Sequence, residues 1–205
     1  MKTKWQYLFV LLLAGILSAQ SLKMAVSDPV KAKRCLEEGH RLEAKAAPEG
    51  PGNQRLFEKA LAKYLCAAHA GSAEGAMAAV DLSQSGMAPE LSIDSIRLLA
   101  KIAAEGGVLS GYAALADSYC EGLQSCQDAS KAISVLFDGN AACSCKKFSY
   151  GIGDIMLIAA KKSEDTAHAY ACYKQSPSKG TQKKLNSIIR LSPTIDTTLS
   201  CEPIK

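Results

Sequence analysis

The stretch AAHAGSAEGAMAAVDLSQSG, residues 67–86, is matched 36 positions later by AAEGGVLSGYAALADSYCEG, residues 103–122. Glycines recur at the same interval in two series, which are Gly39, Gly75 and Gly111, and Gly50, Gly86 and Gly122. A fixed period of roughly 20 to 50 residues is typical of proteins built from stacked repeats. The sequence therefore predicts a repeat architecture.

Each unit contains two segments with the apolar spacing of an amphipathic helix. In the unit that begins after Gly50, a first helix is predicted to start at Asn53, which can cap it, and to end near Gly71. An alanine-rich second helix is predicted over about 73–85. It should stop at Gly86, since glycine is favoured just past a helix end.

The next unit repeats this plan. A helix is predicted to start at Ser92 or Asp94 and to run to Gly107, and another is predicted over about 110–121. Asp128 and Ser163 are predicted to cap later first helices. Alanine pairs at the ends of the first helices let neighbouring backbones approach closely. Because a lone unit could not bury its apolar face, we expect the units to stack around one continuous core.

The sequence therefore predicts an all-α fold, an α-solenoid of helix-turn-helix repeats stapled by disulfides, over residues 22–175. Residues 176–205 have no counterpart in the repeat and are predicted to form a tail that packs on its last unit. No alternation typical of strands and no nucleotide-binding glycine loop interrupts the helical pattern.

The two quoted stretches, with Asp128-Ala-Ser-Lys-Ala132 after them, resemble the core of the Sel-like repeat, a relative of the tetratricopeptide repeat. The resemblance covers roughly residues 55–140, and the tail after Gln175 has no match. It implies a helical solenoid that acts by binding other proteins.

Residues 1–21 have the pattern of a secretory signal peptide, with two lysines, an apolar run that ends at Leu17 and small polar residues after it. The apolar run is shorter than the roughly 20 residues that a membrane-spanning helix needs. We therefore expect cleavage after Ala19 or Ser21, no stable membrane insertion, and a periplasmic mature protein.

The mature chain has eight cysteines, and all are predicted to form disulfides. An even number of cysteines in an exported chain is typical of a disulfide framework. The eight are Cys35, Cys66, Cys120, Cys126, Cys143, Cys145, Cys172 and Cys201.

Two of the pairs follow from the predicted helices. Cys35 and Cys66 lie equally far from a turn centred at residues 50–51, so they should face each other across a helical hairpin. Such a bridge typically adds about 2 to 4 kcal/mol of stability. Cys120 and Cys126 flank a tight loop and are predicted to pin it.

The other two pairs are less constrained. By analogy with the first pair, moved along the repeat, Cys145 is predicted to bond Cys172, which leaves Cys143 for Cys201. Zinc binding is the rival interpretation of this cluster, but the chain has no Cys-x-x-Cys pair. We predict no metal and no cofactor.

Charge and motifs favour neither nucleic-acid binding nor catalysis. The chain has 24 Lys and Arg, two of them in the leader, against 20 Asp and Glu, so it lacks the basic stripe of nucleic-acid-binding proteins. His40, His69 and His168 occur singly. Ser176-Pro-Ser-Lys179 matches the Ser-x-x-Lys pattern of penicillin-binding enzymes without its companion motifs, and it remains a remote enzymatic alternative to the predicted binding role.

The solenoid suggests where a partner would bind. Stacked helix pairs curve into a superhelix with a concave binding face, which the first helix of each unit lines in the related families. The implied partner-binding residues form a basic ridge for an acidic partner, with a solvated helix flank as the alternative. They are Arg55, Lys59, Lys63, Arg97 and Lys101. Asp81 and Asp117 share one repeat position, which the period alone explains, although a shared acidic groove is the alternative.

The resemblance leads to two functional hypotheses. Exported Sel-like repeat proteins are similar to immunity proteins that neutralise type VI secretion effectors, particularly phospholipase-type toxins, so the partner is expected to be a toxic lipase-type effector. The alternative is an envelope scaffold, adaptor or host-interaction factor built on the same repeat.

Overall fold

The computed structural model describes residues 27–47, 53–121, 125–160, 163–176, 178, 180–192 and 194–202. The described chain is helical apart from two antiparallel two-residue strands, β1 (Cys120–Glu121) and β2 (Ser125–Cys126). The predicted leader lies outside the described residues. The helices are α1 (Pro29–Ala46), α2 (Gln54–His69), α3 (Ala73–Gln84), α4 (Ile93–Glu105), α5 (Leu109–Asp117), α6 (Ala129–Ala142), α7 (Ser149–Ala159), α8 (Ser163–Gln175) and α9 (Thr181–Leu191).

Local signals in the sequence determine where the middle helices begin and end. The side chains of Ser72, Ser92 and Asp128 each accept a hydrogen bond from the backbone N–H three residues further on, at the starts of α3, α4 and α6. Glycines with positive φ, Gly71 at 96° and Gly86 at 72°, follow the ends of α2 and α3.

The helix α5 is shorter than the sequence predicts. It ends at Asp117, where the backbone N–H groups of Ser118 and Tyr119 bond the carbonyls of Ala114 and Ala116. The chain then enters the β1–β2 ribbon instead of continuing as helix.

Successive helices pack against each other, and alternate helices form two layers. The helix α3 contacts both α1 and α5, whereas the described parts of α2, α4 and α6 have no contacts of that extent with one another. We call the layer formed by α1, α3, α5 and α7 the inner face. The predicted all-α solenoid is confirmed.

In the series Gly39, Gly75 and Gly111, only the last two glycines have the same structural role. Gly75 and Gly111 are each the third residue of their helix, and an added Cβ at either would lie 2.5 Å from the preceding helix, at Ala67 or Ala104. Gly39 instead lies well inside α1 and packs against the helix that follows it. The period therefore describes two units, and the match at Gly39 has a different structural role.

The described chain has two buried clusters rather than the one continuous core that we predicted. The first joins α1 to α5 around the fully buried ring of Tyr64, and the second joins α5 to α9 around that of Tyr173. They meet on α5, where Ala114 belongs to the first cluster and Ala116 to the second.

Two predicted disulfides are confirmed. Cys35 on α1 bonds Cys66 on α2, with Cα atoms 5.9 Å apart, across the first hairpin. Cys120 bonds Cys126, and the two face each other in the β1–β2 ribbon. No cysteine in the structure is free. The disulfide framework indicates an oxidising compartment.

The other two predicted pairings are wrong, because Cys143 bonds Cys145 and Cys172 bonds Cys201. The analogy assumed that Cys145 lies in a helix opposite Cys172, but it lies in the turn before α7. Ser144 in that turn has a φ of 49°, and its backbone brings the two neighbouring cysteines together. Cys172 instead lies beside Met156, further along α7.

Candidate functional site

The inner face carries a groove of about 700 Å³ between α5 and α7. Its described lining is mainly apolar. Ile96 of α4, Leu136 of α6 and Ile155 of α7 are buried side chains that line it. Ile93 lines it as well and is 48% exposed, so this apolar side chain is largely uncovered. The groove lies where the two core clusters meet.

The groove exists because α5 and α7 do not pack as closely as the other inner-face helices. The described parts of α1, α3 and α5 contact each other in turn, but α5 and α7 lack contacts of that extent. The ribbon is interposed, since β1 contacts α5 and β2 contacts α7. Cys120 itself lines the groove, so the Cys120–Cys126 disulfide closes a loop beside the groove.

Packing within the chain favours glycine at one of two glycine positions in α7 but not at the other. A Cβ at Gly153 would lie 3.0 Å from the Tyr173 ring, so packing within the chain favours glycine there. A Cβ at Gly151 would meet only Leu136 Cδ1 at 3.5 Å, which is an ordinary contact. Glycine inside a helix costs about 0.5 to 1 kcal/mol relative to alanine. Gly151 lines the groove, and its small size leaves the groove open.

Asp117, the last residue of α5, is the acidic group on the near wall of the groove. The residue as a whole is exposed, but the surrounding chain excludes water from part of its carboxyl group. This partial burial disfavours the charged form and raises the pKa of Asp117. Asp81 occupies the equivalent place in the last turn of α3. Burial raises the pKa of Asp81 as well, and the nearby Glu43 carboxylate adds to the effect.

The far wall of the groove is held by hydrogen bonds to Asp154 of α7. Its Oδ1 accepts the hydroxyl of Tyr173 at 2.5 Å and the Nζ of Lys184 at 2.7 Å. The bond to Asp154 raises the pKa of Lys184. These contacts join α7 to α8 and α9, so the end of the chain fixes the wall that carries Gly151.

The predicted basic ridge lies on α2 and α4, away from the inner face, and none of its residues lines the groove. Arg55 and Lys59 are exposed on α2. Lys63 forms an ion pair with Glu38, so its charge is partly neutralised within the chain.

The other two ridge residues also bond within the chain. Arg97 donates from Nε and Nη2 to the carbonyl oxygen of Ser118, at 3.2 and 2.8 Å, and its guanidinium lies 5.0 Å from the centre of the Tyr119 ring. Lys101 lies 3.7 Å from Glu105. Arg97 therefore holds the end of α5 in place. Partner binding by the five ridge residues stays a prediction.

The histidines lie on three separate helices. The Nδ1 of His40 lies 3.0 Å from the hydroxyl of Tyr64, His69 ends α2, and His168 is part of α8. Within the described ranges, no group of three or more His, Cys, Asp or Glu side chains is placed to hold a metal ion.

The remote enzymatic motif begins just past α8. Ser176 Oγ accepts the backbone N–H of Ser178 at 3.1 Å, which closes a local turn. Lys179, the motif's other residue, lies outside the described residues, so the Ser-x-x-Lys geometry is not tested.

Sequence reasoning missed the residues that form the groove. Ile93, Gly151 and Ile158 line it, and none is marked by the repeat. Two signals point to them in retrospect. Ile93 is apolar between two polar residues at a helix start, and Gly151 is a glycine in the interior of a mainly apolar helix.

No protein-family model, curated protein or solved structure matches this chain. Among the helices of the described residues, none is both long enough and apolar enough to cross a membrane.

Proposed function

We propose that this chain is an exported, non-enzymatic binding protein that holds part of another protein in the groove between α5 and α7. The observation that carries this proposal is Gly151, a glycine inside a helix whose missing side chain leaves space that no other part of the described chain fills. Ile93 lines the same groove and is about half exposed, so it adds to the apolar lining, and contiguous exposed apolar surface favours an interaction site.

The shape of the groove favours a protein segment over a small ligand. Small-molecule sites typically bury about 70 to 90% of their ligand. This groove is partly open to solvent, so a small compound bound in it would remain in contact with water. A segment of a partner protein could fill the groove and also extend over the inner face.

The disulfides support a preorganised binding surface. A rigid site loses less conformational entropy when it binds, so more of the contact energy appears as affinity. The Cys120–Cys126 bridge holds the ribbon at the edge of the groove, and the Cys172–Cys201 bridge ties the end of the chain to α8.

The proposed location is the periplasm. The leader pattern of residues 1–21 and the four disulfides both support export to an oxidising compartment. The resemblance to exported Sel-like repeat proteins supports the narrower proposal of an immunity protein that neutralises a type VI secretion phospholipase-type effector. An envelope scaffold or host-interaction factor is the alternative.

The binding surface is tested by hydrogen exchange. The oxidised mature chain is used to isolate its partner from periplasmic extract, and amide exchange of the chain is then compared with and without that partner. We expect added protection in α5 and α7. Protection confined to α2, which carries three of the five ridge residues and does not line the groove, would contradict the proposed groove.

The immunity role has a separate test. The isolated partner is exported to the periplasm of cells that lack this chain, and growth is followed with and without co-expression of the chain. The immunity proposal predicts toxicity that the chain suppresses. A non-toxic partner made of several envelope components would favour the scaffold alternative.

A further inference from the structure

We infer that the segment bound in the groove carries a lysine or arginine beside a large apolar residue, with its cationic group at Asp117. This inference rests on the proposed function, because it specifies the chemistry of the partner at the same groove. The apolar residue would cover Ile93 and Ile96, which line the groove with Asp117.

The position of Asp117 destabilises the chain when no partner is bound. The carbonyl end of a helix carries partial negative charge, so an acid in the last turn is destabilising. Asp117 ends α5, and Asp81 lies in the last turn of α3, so the unfavourable arrangement occurs twice along the inner face. Within the described residues, neither carboxylate has a hydrogen bond or ion pair.

Two acids near helix ends and on the groove wall do have cationic partners. Asp128 lies 2.7 Å from the Nζ of Lys131, and Asp154 lies 2.7 Å from that of Lys184. Asp117, like Asp81, has part of its carboxyl shielded from water without such a partner, and of the two only Asp117 lines the groove. A cation supplied by another protein would complete the site.

The other charged residues that line the groove do not supply the cation at Asp117. Asp154 is paired with Lys184 on the far wall. Lys147 lines the groove but is exposed, and it does not contribute to the pKa shift of Asp117. Its long side chain can move into water, so it does not block a partner cation at Asp117.

The repeat also predicts a spacing in the partner. Packed helices typically lie about 8 to 10 Å apart, and α3 contacts α5 directly. An extended chain advances about 3.3 Å per residue. A second basic residue about three positions from the first would therefore reach α3, the helix that carries Asp81.

A random dodecapeptide library displayed on phage tests the inference against the oxidised full-length mature chain. Enriched peptides should carry Lys or Arg beside a large apolar residue. For a synthetic peptide of the enriched sequence, Asp117→Asn should weaken binding about tenfold. The matched control is Asp138→Asn, which removes an exposed acid from α6 and should change binding less than about twofold.

The outcomes separate this inference from the proposed function. If the enriched peptides carry no basic residue and the Gly151→Trp variant no longer binds them, the groove is still the binding site, but the inference is overturned. Equal binding of a basic peptide by the parent chain and Asp117→Asn would overturn it too. No enrichment, or binding that Gly151→Trp leaves unchanged, would count against both.

Discussion

Gly39 packs directly against the ring of Tyr64, so closely that a Cβ at Gly39 would lie 2.5 Å from Tyr64 Cε1. The same relationship recurs at the other end of the chain between Gly153 and Tyr173, at 3.0 Å. Both tyrosine rings are fully buried, and each hydroxyl donates to a carboxylate on the neighbouring helix. The α1–α2 and α7–α8 hairpins are therefore held in the same way.

We expect Gly39→Ala to destabilise the fold by about 1 to 3 kcal/mol, because the added methyl group overpacks the Tyr64 ring. Gly151→Ala is the matched control, since its methyl group meets only Leu136 at an ordinary distance. It should stabilise α7 by about 0.5 to 1 kcal/mol. Urea unfolding of the oxidised proteins measures both effects, and equal destabilisation would contradict the packing described.

The four disulfides should contribute unequally to stability. Loop-closure entropy predicts about 3 to 4 kcal/mol for Cys35–Cys66, which spans 31 residues, and about 1 to 2 kcal/mol for Cys143–Cys145, which spans two. Replacing each pair by serine and comparing unfolding free energies measures the difference.

The pairing itself is checked by peptide mapping of the unreduced protein. The structure predicts that Cys172 and Cys201 appear in one disulfide-linked peptide pair, and that Cys143 and Cys145 occur in a single peptide with no other cysteine attached. A peptide linking Cys145 to Cys172 would restore the pairing expected by analogy.

Arg97→Met should cost about 1 to 2 kcal/mol of stability, because it removes two charged hydrogen bonds to the Ser118 carbonyl. Lys101→Met, on the same helix, should change stability by less than about 0.5 kcal/mol, since its ion pair is exposed. Thermal and urea unfolding measure both. Similar effects in the two variants would show that Arg97 does not anchor α5.

Asp117→Asn should stabilise the protein at neutral pH. Burial raises the pKa of Asp117 in the folded chain, so between the unfolded and folded pKa values the folded state binds more protons. The wild-type chain therefore loses stability as pH rises through that window, and the variant does not.

This pH dependence is measured by urea unfolding at pH 3 and pH 7. The variant and the wild type should be nearly equal at pH 3, below the usual unfolded pKa of about 3.9. The variant should be more stable at pH 7 by about 0.3 to 1 kcal/mol, the usual effect of removing an acid from a helix end. A constant difference at both pH values would show that Asp117 does not titrate differently on folding.

Features set by local chemistry could be predicted from the sequence. Ser72 and Gly86 bound α3 through a cap and a left-handed residue, and the symmetry of the first hairpin predicted Cys35–Cys66. These depend on residues close in sequence or on one regular helix pair.

Features that depend on irregular packing could not be predicted. The Cys143–Cys145 bridge needs the left-handed conformation of Ser144, which favours glycine and carries no sequence signal. The groove depends on how far α5 lies from α7, and the ribbon between them breaks the repeat. Periodicity predicts which helices form, but it does not predict where two of them fail to meet.

The most direct measurement of the central claim is the affinity of the isolated partner for Gly151→Trp and Gly151→Ala, compared with the parent chain by calorimetry. If the partner occupies the groove between α5 and α7, tryptophan should weaken binding by about a hundredfold or more while alanine changes it only a few fold. Unchanged affinity for a folded Gly151→Trp variant would show that the partner binds elsewhere.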